Sequence, residues 1–291
     1  MTGILSWNIQ NGMGCDGRIS LTKTADVIFN MGTPDIICLQ EVSRGLILDD
    51  SGQSPDQIAE LTGLFQGYEL IFGAAVDAVD PVSGRRWQFG NVVLSRLPLL
   101  SVALHLLPRP AVQGTRYMTR QATEVVVSCQ SGPLRVINTH LEYHSRVQKL
   151  AQIDRLREIQ SEALEEQAQP RQVEETGPYQ FVARPVEAVL CGDFNILQGS
   201  KAYDNLLEPL AGTKQRFHDA WNIAYPGCAH EPTCGIHDRQ LWPQGPHCRD
   251  FFFVTGTCVD RIRAVRIDTA TDASDHQPLL LEIANDSPAI D

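Results

Sequence analysis

Apolar residues along this chain gather mostly into short runs of strand length, bounded by Gly, Pro, Asn and Asp. Such runs occupy residues 3–9, 35–39, 68–72, 90–94, 99–104, 122–129, 134–138, 186–190, 251–254, 264–267 and 279–283. Helical spacing is rarer. Residues 20–31 set Leu21, Ala25 and Ile28 on one face, residues 56–64 form a short candidate, and residues 145–167 carry Val147, Leu150, Ile153 and Leu156 among charges spaced four apart. Between 90 and 140, four or five strand runs follow one another with only short turns between them, which predicts an antiparallel meander. No internal repeat is found. The polar stretch "EEQAQPRQVEETGPYQ" predicts a surface insertion at about 165–184 within a single domain spanning 1–291, not a linker between two.

Composition narrows the class. A chain of 291 residues, 43% hydrophobic and 20% charged, is that of a folded globular protein able to bury a sizeable core. Its formal charge of −11 argues against a broad basic surface that holds long nucleic acid by counterion release, and leaves small or local anionic substrates open. Eight scattered cysteines, with no basic-then-apolar leader after Met1, predict reduced thiols and a cytoplasmic location. The longest apolar stretch, residues 92–107, is cut by Arg96 and Pro98, so no transmembrane segment is expected.

Gly12, Gly14 and Gly17 spell G-x-G-x-x-G after the first strand run, with Glu41 placed roughly where a dinucleotide-binding unit carries its acidic ribose ligand. Its surroundings argue against that reading. A doubly wound fold alternates strands with crossover helices, whereas this chain has a run of strands, and Asp16 would set a carboxylate where a pyrophosphate wants backbone donors. A nicotinamide- or flavin-dependent oxidoreductase is therefore the remote alternative.

Polar residues at strand ends are more informative. "ILSWN" ends at Asn8, "DIICLQE" at Glu41, "LRVINTH" at His140 and "VEAVLCGDFN" at Asp193 and Asn195, while "SDHQPLLLEI" begins with Asp275 and His276. Strand ends at one edge of a sheet let a rigid scaffold bring distant residues together. Carboxylates with an amide suit a hard divalent cation such as Mg2+, and histidines beside carboxylates supply proton chemistry.

In this order, "LSWN", "LQEV", "NTHL", "CGDFN", "RDFFFV" and "SDHQPLLLE" resemble the motif series of the endonuclease/exonuclease/phosphatase superfamily, from about residue 3 to 283. The resemblance implies an α/β fold, a deoxyribonuclease I-like four-layer sandwich of two mainly antiparallel sheets flanked by helices. It also implies hydrolysis of a phosphate ester by an activated water with Mg2+, or Mn2+ in its place. By position, Glu41 resembles the principal metal ligand, with Asn8 beside it and Asp275 as a further metal-side carboxylate. Asp193 and Asn195 resemble the pair that orients the water and contacts the phosphate; His276 resembles the general base and Asp250 its partner. His140 resembles the second histidine, on the leaving-group or phosphate side, and Arg120 in "TRQATEV" matches an arginine that holds the phosphate. One departure is Cys248-Arg249-Asp250-Phe251 where many relatives have R-I-D-Y: the aspartate is kept and the aromatic hydroxyl is lost.

The cluster "CAHEPTCGIHDRQLWPQGPHC" holds Cys228, His230, Cys234, His237, His247 and Cys248, but its spacing does not form the paired hooks of structural zinc sites. It is expected to be a substrate-side loop without structural zinc. Two function classes follow: a metal-dependent phosphodiesterase, phosphatase or nuclease, and a non-catalytic binding module on the same fold. The second does not need both histidines and the carboxylates together, and so the enzyme is favoured. The expected substrate is a small phosphoester, a lipid headgroup or a nucleic-acid end.

Overall fold

β1 (Thr2–Asn8) lies inside a six-stranded sheet, parallel to β2 (Ile36–Arg44) and antiparallel to β12 (Leu279–Ile283). β11 (Ile262–Ile267) adds to β12 on one side; β4 (Arg86–Ser95) and then β3 (Glu69–Val79) add to β2 on the other. The computed structural model describes residues 1–48, 55–169, 172–182 and 184–285. A second six-stranded sheet runs β5 (Leu99–Leu106), β6 (Gln121–Cys129), β7 (Gly132–His140), β8 (Ala188–Asp193), β10 (Asp250–Val254) and β9 (His218–Asp219). Both sheets are mixed, since β1 and β2 are parallel, as are β7 and β8, while every other pair is antiparallel.

The two parallel pairs need crossovers, and the chain supplies them as helices. α1 (Leu21–Met31) connects β1 to β2, and α3 (Arg146–Ala168) connects β7 to β8. α1 and α2 (Gln57–Leu64) cover the outer face of the first sheet; α3 and α4 (Lys201–Leu207) cover that of the second. Consecutive apolar residues divide between layers because strand side chains alternate. Ile4, Ile36, Val136 and Val189 point between the sheets, whereas Leu5, Ile37, Ile137 and Leu190 meet the helices. This accounts for strand runs without alternation. The result is the four-layer α/β sandwich.

Ser20, Asp56 and Ser145 cap the three longer helices by accepting backbone N–H bonds, which fixes their starts where the pattern placed them. The face of α3 is rotated from its apolar stripe. Val147 is exposed, and Gln148, Gln152 and Gln160 are buried with Ile153, Leu156 and Ile159. Their amides are spent on the carbonyls of Pro110, Pro108 and Val186, so burial does not leave those donors unsatisfied.

The meander expected over 90–140 is divided between the sheets. β4 belongs to the first, and only β5, β6 and β7 form a meander, in the second. Both sheets present apolar inner faces, and a run of strands and turns carries no mark of which sheet a strand joins. α5 (Ala220–Ala224), α6 (Cys258–Arg261) and β9 are too short for any period to announce them. Within the polar stretch at 165–184, α3 continues to Ala168, residues 172–182 are exposed, and residues 170, 171 and 183 lie outside the described residues. In the glycine stretch the backbone N–H groups of Gly12, Gly14, Cys15 and Gly17 bond to Ile9, Arg18, Asp272 and Gly14 carbonyls. Those donors are thus turned to the protein, not to a pyrophosphate.

Candidate active site

Strand register assembles the centre of the site. β8 lies between β7 and β10, and its last residue, Asp193, is the direct partner of His140 on one side and of Asp250 on the other. Gly192 makes this possible. At φ 137 it adopts a backbone conformation that L side chains rarely take, and a Cβ there would stand 1.8 Å from the Thr139 carbonyl oxygen. On the first sheet, Asn8 ends β1 and Glu41 sits where the β2–β4 ladder bulges between Leu39 and Val42. Glu41 and Asn195 have φ of 57 and 52, values that non-glycine residues keep only where surroundings enforce them.

Asp193 is the hub. Its Oδ1 accepts from the Asn195 backbone N–H at 2.9 Å, and its Oδ2 accepts from Asn8 Nδ2 at 3.1 Å. The same Oδ2 lies 3.4 Å from His140 Nε2 and 3.7 Å from His276 Nε2. Asn8 Nδ2 also reaches Glu41 Oε1 at 3.1 Å, while its Oδ1 accepts from the Gln10 N–H, so Asn8 ties the two carboxylates together as a donor. His276 Nδ1 is 2.8 Å from Asp250 Oδ2, which also accepts from Thr233 Oγ1 at 2.6 Å. Asp275 accepts from Trp242 Nε1 at 3.0 Å. Arg120 is buried with its Nε 3.5 Å from Glu142 Oε2, and neither its Nε nor its Nη1 completes a hydrogen bond. The Nδ1 of buried His140 completes no hydrogen bond and lies 3.9 Å from Glu41 Oε1. All eight residues singled out at strand ends and in the "RDF" motif thus occupy one end of the sandwich, with Arg120 beside them.

Electrostatics separates the two histidines. Burial, aided by Arg120, pushes His140 down to about 3, so it is neutral throughout the working range. Burial opposes the charge on His276 as well, but Asp250, Asp193 and Asp275 outweigh it and raise that histidine well above its ordinary value. For Asp193 too, burial is overcome, by the charge of His276 and the donors from Asn195 and Asn8, and its carboxyl is held low. Glu41 moves the other way. Burial and the facing charge of Asp275 raise it, and among the described residues neither carboxylate pairs with a lysine or arginine. Two neighbouring carboxylates without a lysine or arginine partner suit a hard cation, which would relieve the repulsion. Asp193, Asp250 and His276 also bring ligand atoms within 4.8 Å of one another, all buried.

Thr233 and Trp242 are site residues that no spacing announces. Trp242 stands edge-on to His276, with ring centroids 5.6 Å apart. The Cys/His-rich segment wraps this side of the site. Cys234 pairs through its backbone with both His247 and His276, His230 stacks on Trp221, His237 turns to the Thr269 carbonyl, and Cys228 is exposed. Cys234 Sγ lies 3.3 Å from His247 Nε2, but among the described residues no three of these six side chains bring ligand atoms together.

The sequence model described as the endonuclease/exonuclease/phosphatase family matches residues 5–276. Solved structures share the fold. One described as an endonuclease/exonuclease/phosphatase from Beutenbergia cavernae DSM 12333 aligns over 96% of this chain and 70% of its own, with TM-score 0.66 and 21% identity. A mannosyl-6-phosphatase from Bacteroides thetaiotaomicron VPI-5482 aligns over 98% and 100%, with TM-score 0.65 and 16% identity. A 3′ phosphatase from Neisseria, bound to a product DNA hairpin, aligns over 98% and 100%, with TM-score 0.61 and 19% identity. No curated protein matches the sequence.

Proposed function

Because the chain belongs to the endonuclease/exonuclease/phosphatase family, a family of phosphoesterases, we propose that it hydrolyses phosphate esters with a divalent cation, Mg2+ or Mn2+, and a water activated by His276 and Asp250. The observation that carries this reading is the buried chain Asp250–His276–Asp193, with a 2.8 Å hydrogen bond in its first link and 3.7 Å in its second.

Glu41 and Asp275 would hold the cation, with Asn8 keeping Glu41 in place. Both oxygens of Asp193 and Oδ2 of Asp250 already accept hydrogen bonds, which favours the Glu41 side. When bound, the cation supplies positive charge to a phosphoryl oxygen and to the departing oxygen. The unpartnered donors of Arg120, together with the side chains of Asn195 and neutral His140, bind phosphate oxygens. His276 Nε2 takes the proton of the attacking water beside Asp193, and Asp250 fixes the tautomer and stabilises the imidazolium. A binding module on this fold needs no such arrangement. The eight free cysteines support a reducing, cytoplasmic setting, and no helix of the described residues is long and apolar enough to cross a membrane. Residues 1–291 act as one domain in this proposal, with residues 165–184 as its surface insertion.

A second reading rests on the raised His276 and lowered Asp193: an imidazolium that grips the phosphate while Asp193 serves as base. The substrate class is a phosphomonoester or diester, and the two phosphatases among the similar structures favour the monoester. A panel of sugar phosphates, nucleotides, inositol phosphates, phospholipid headgroups and oligonucleotide ends, assayed with Mg2+, Mn2+ and EDTA, tests the proposal. Hydrolysis of at least one substrate that stops with EDTA and returns with the cation is expected; no turnover, or turnover indifferent to EDTA, contradicts it.

A further inference from the structure

Arg249 and Lys149 come from distant parts of the chain and converge on one backbone carbonyl. Arg249 Nη1 lies 3.4 Å and Lys149 Nζ 2.6 Å from the oxygen of Asn195. Asn195 is the residue whose side chain faces His140, so this pair stands immediately beside the reaction centre. Among the described residues of an acidic protein, neither cation has a carboxylate within ion-pair distance.

The guanidinium is held in place by neutral groups. It lies over the Trp242 ring at 5.0 Å and the Tyr143 ring at 5.3 Å, and its Nε donates to His247 Nε2 at 2.8 Å. Both cations are only half-buried, so an anion can reach them from solvent. Holding two like charges together costs stability, and Lys149 registers it. Burial, together with the charge of Arg249, pushes Lys149 down to about 8. A carbonyl dipole alone is a weak partner for two cations, whereas a phosphate offers several acceptor oxygens and full charge.

We infer that Arg249 and Lys149 form a second anion subsite beside the reaction centre, and that the preferred substrate carries a further phosphate next to the ester being hydrolysed. The inference rests on the phosphoesterase reading for what the neighbouring centre does, but not for binding itself. A second phosphate comes either from a nucleic-acid backbone or from a small bisphosphate, and these share the same recognition chemistry.

Calorimetry on the full chain compares thymidine 3′,5′-bisphosphate with the two thymidine monophosphates, and glucose 1,6-bisphosphate with glucose 6-phosphate. In at least one arm the bisphosphate binds at least about tenfold more tightly, as two charge-assisted contacts imply; the thymidine arm marks a nucleic-acid backbone, the glucose arm a sugar bisphosphate. Arg249→Gln and Lys149→Gln each shrink that advantage to less than about threefold. Should Arg249→Gln fail to fold without its aromatic contacts, Lys149→Gln on the surface of α3 decides. Equal affinities in both arms, or an advantage that survives in folded Lys149→Gln, overturn the inference. A Lys149-dependent advantage in a protein that hydrolyses no phosphate ester supports the subsite and contradicts the enzymatic reading alone.

Discussion

Glu41 sits in a conformation that strand residues avoid, where burial and then a second carboxylate, Asp275, raise its affinity for protons. Glu41→Gln keeps its volume and removes the repulsion. Hydrolysis is expected to fall about 100-fold or more, as loss of several kcal/mol of charge stabilisation implies. The melting temperature without metal is expected to hold or rise. Unchanged turnover, or a clear fall in melting temperature, contradicts this role. Glu41, Asp193, Asp250 and His276 were legible in the sequence because each ends or borders an apolar run, and register then dictates where a strand end goes. Thr233 and Trp242 were not, because their segment takes its shape from pairing with His247 and His276, which no local pattern encodes. Phe251, where relatives carry a hydroxyl, turns away from the site and packs with Phe194, Tyr203 and Phe253.

At the scale of elements, β8 depends on one glycine and α3 on one cap. Gly192→Ala forces a side chain into the Thr139 carbonyl at a positive φ, and is expected to cost about 2 kcal/mol or more in urea unfolding. An unmoved midpoint contradicts that geometry. Ser145→Ala removes the acceptor for the Gln148 N–H at 3.2 Å, with an expected loss of about 1 kcal/mol. The starts of α1, α2 and α3 were readable because capping residues act locally. The buried face of α3 was not, since Gln148, Gln152 and Gln160 read as solvent-facing until their carbonyl partners are in place. The crossing from β4 to β5 was equally silent, because either sheet offers β5 the same apolar surface.

Across the whole molecule, charge is organised on the second sheet's outer face as well as at the site. Glu124 is buried near His105 at 3.2 Å, Arg184 at 3.2 Å and Arg135 at 4.0 Å. Burial opposes its charge, but these partners prevail and hold it below the ordinary 4.5. A depressed carboxylate stabilises the fold above 4.5, and that contribution is lost as pH falls through its folded value. Glu124→Gln leaves Arg135 buried without its charge, at an expected cost of about 3 kcal/mol near neutrality. The gap to the parent protein should narrow at pH about 3. Urea midpoints at the two pH values check this; a gap independent of pH contradicts it. The two-sheet architecture was foreseeable from the family resemblance that the ordered motifs carry, while the division of strands between sheets emerged only from their pairing.

The central claim is that His276 and Asp250 act as one unit on the attacking water. The direct measurement is the pH dependence of kcat/KM for the parent protein and for Asp250→Asn. Because Asp250, Asp193 and Asp275 raise His276 above 6.5, its basic form appears only at higher pH. Activity is expected to climb as pH rises through that value, with the limb displaced toward lower pH once the charge of Asp250 is removed. Activity that instead falls over the same range would identify His276 as an imidazolium holding the phosphate, with Asp193 as the base, and an unmoved limb in Asp250→Asn would dissolve the pair.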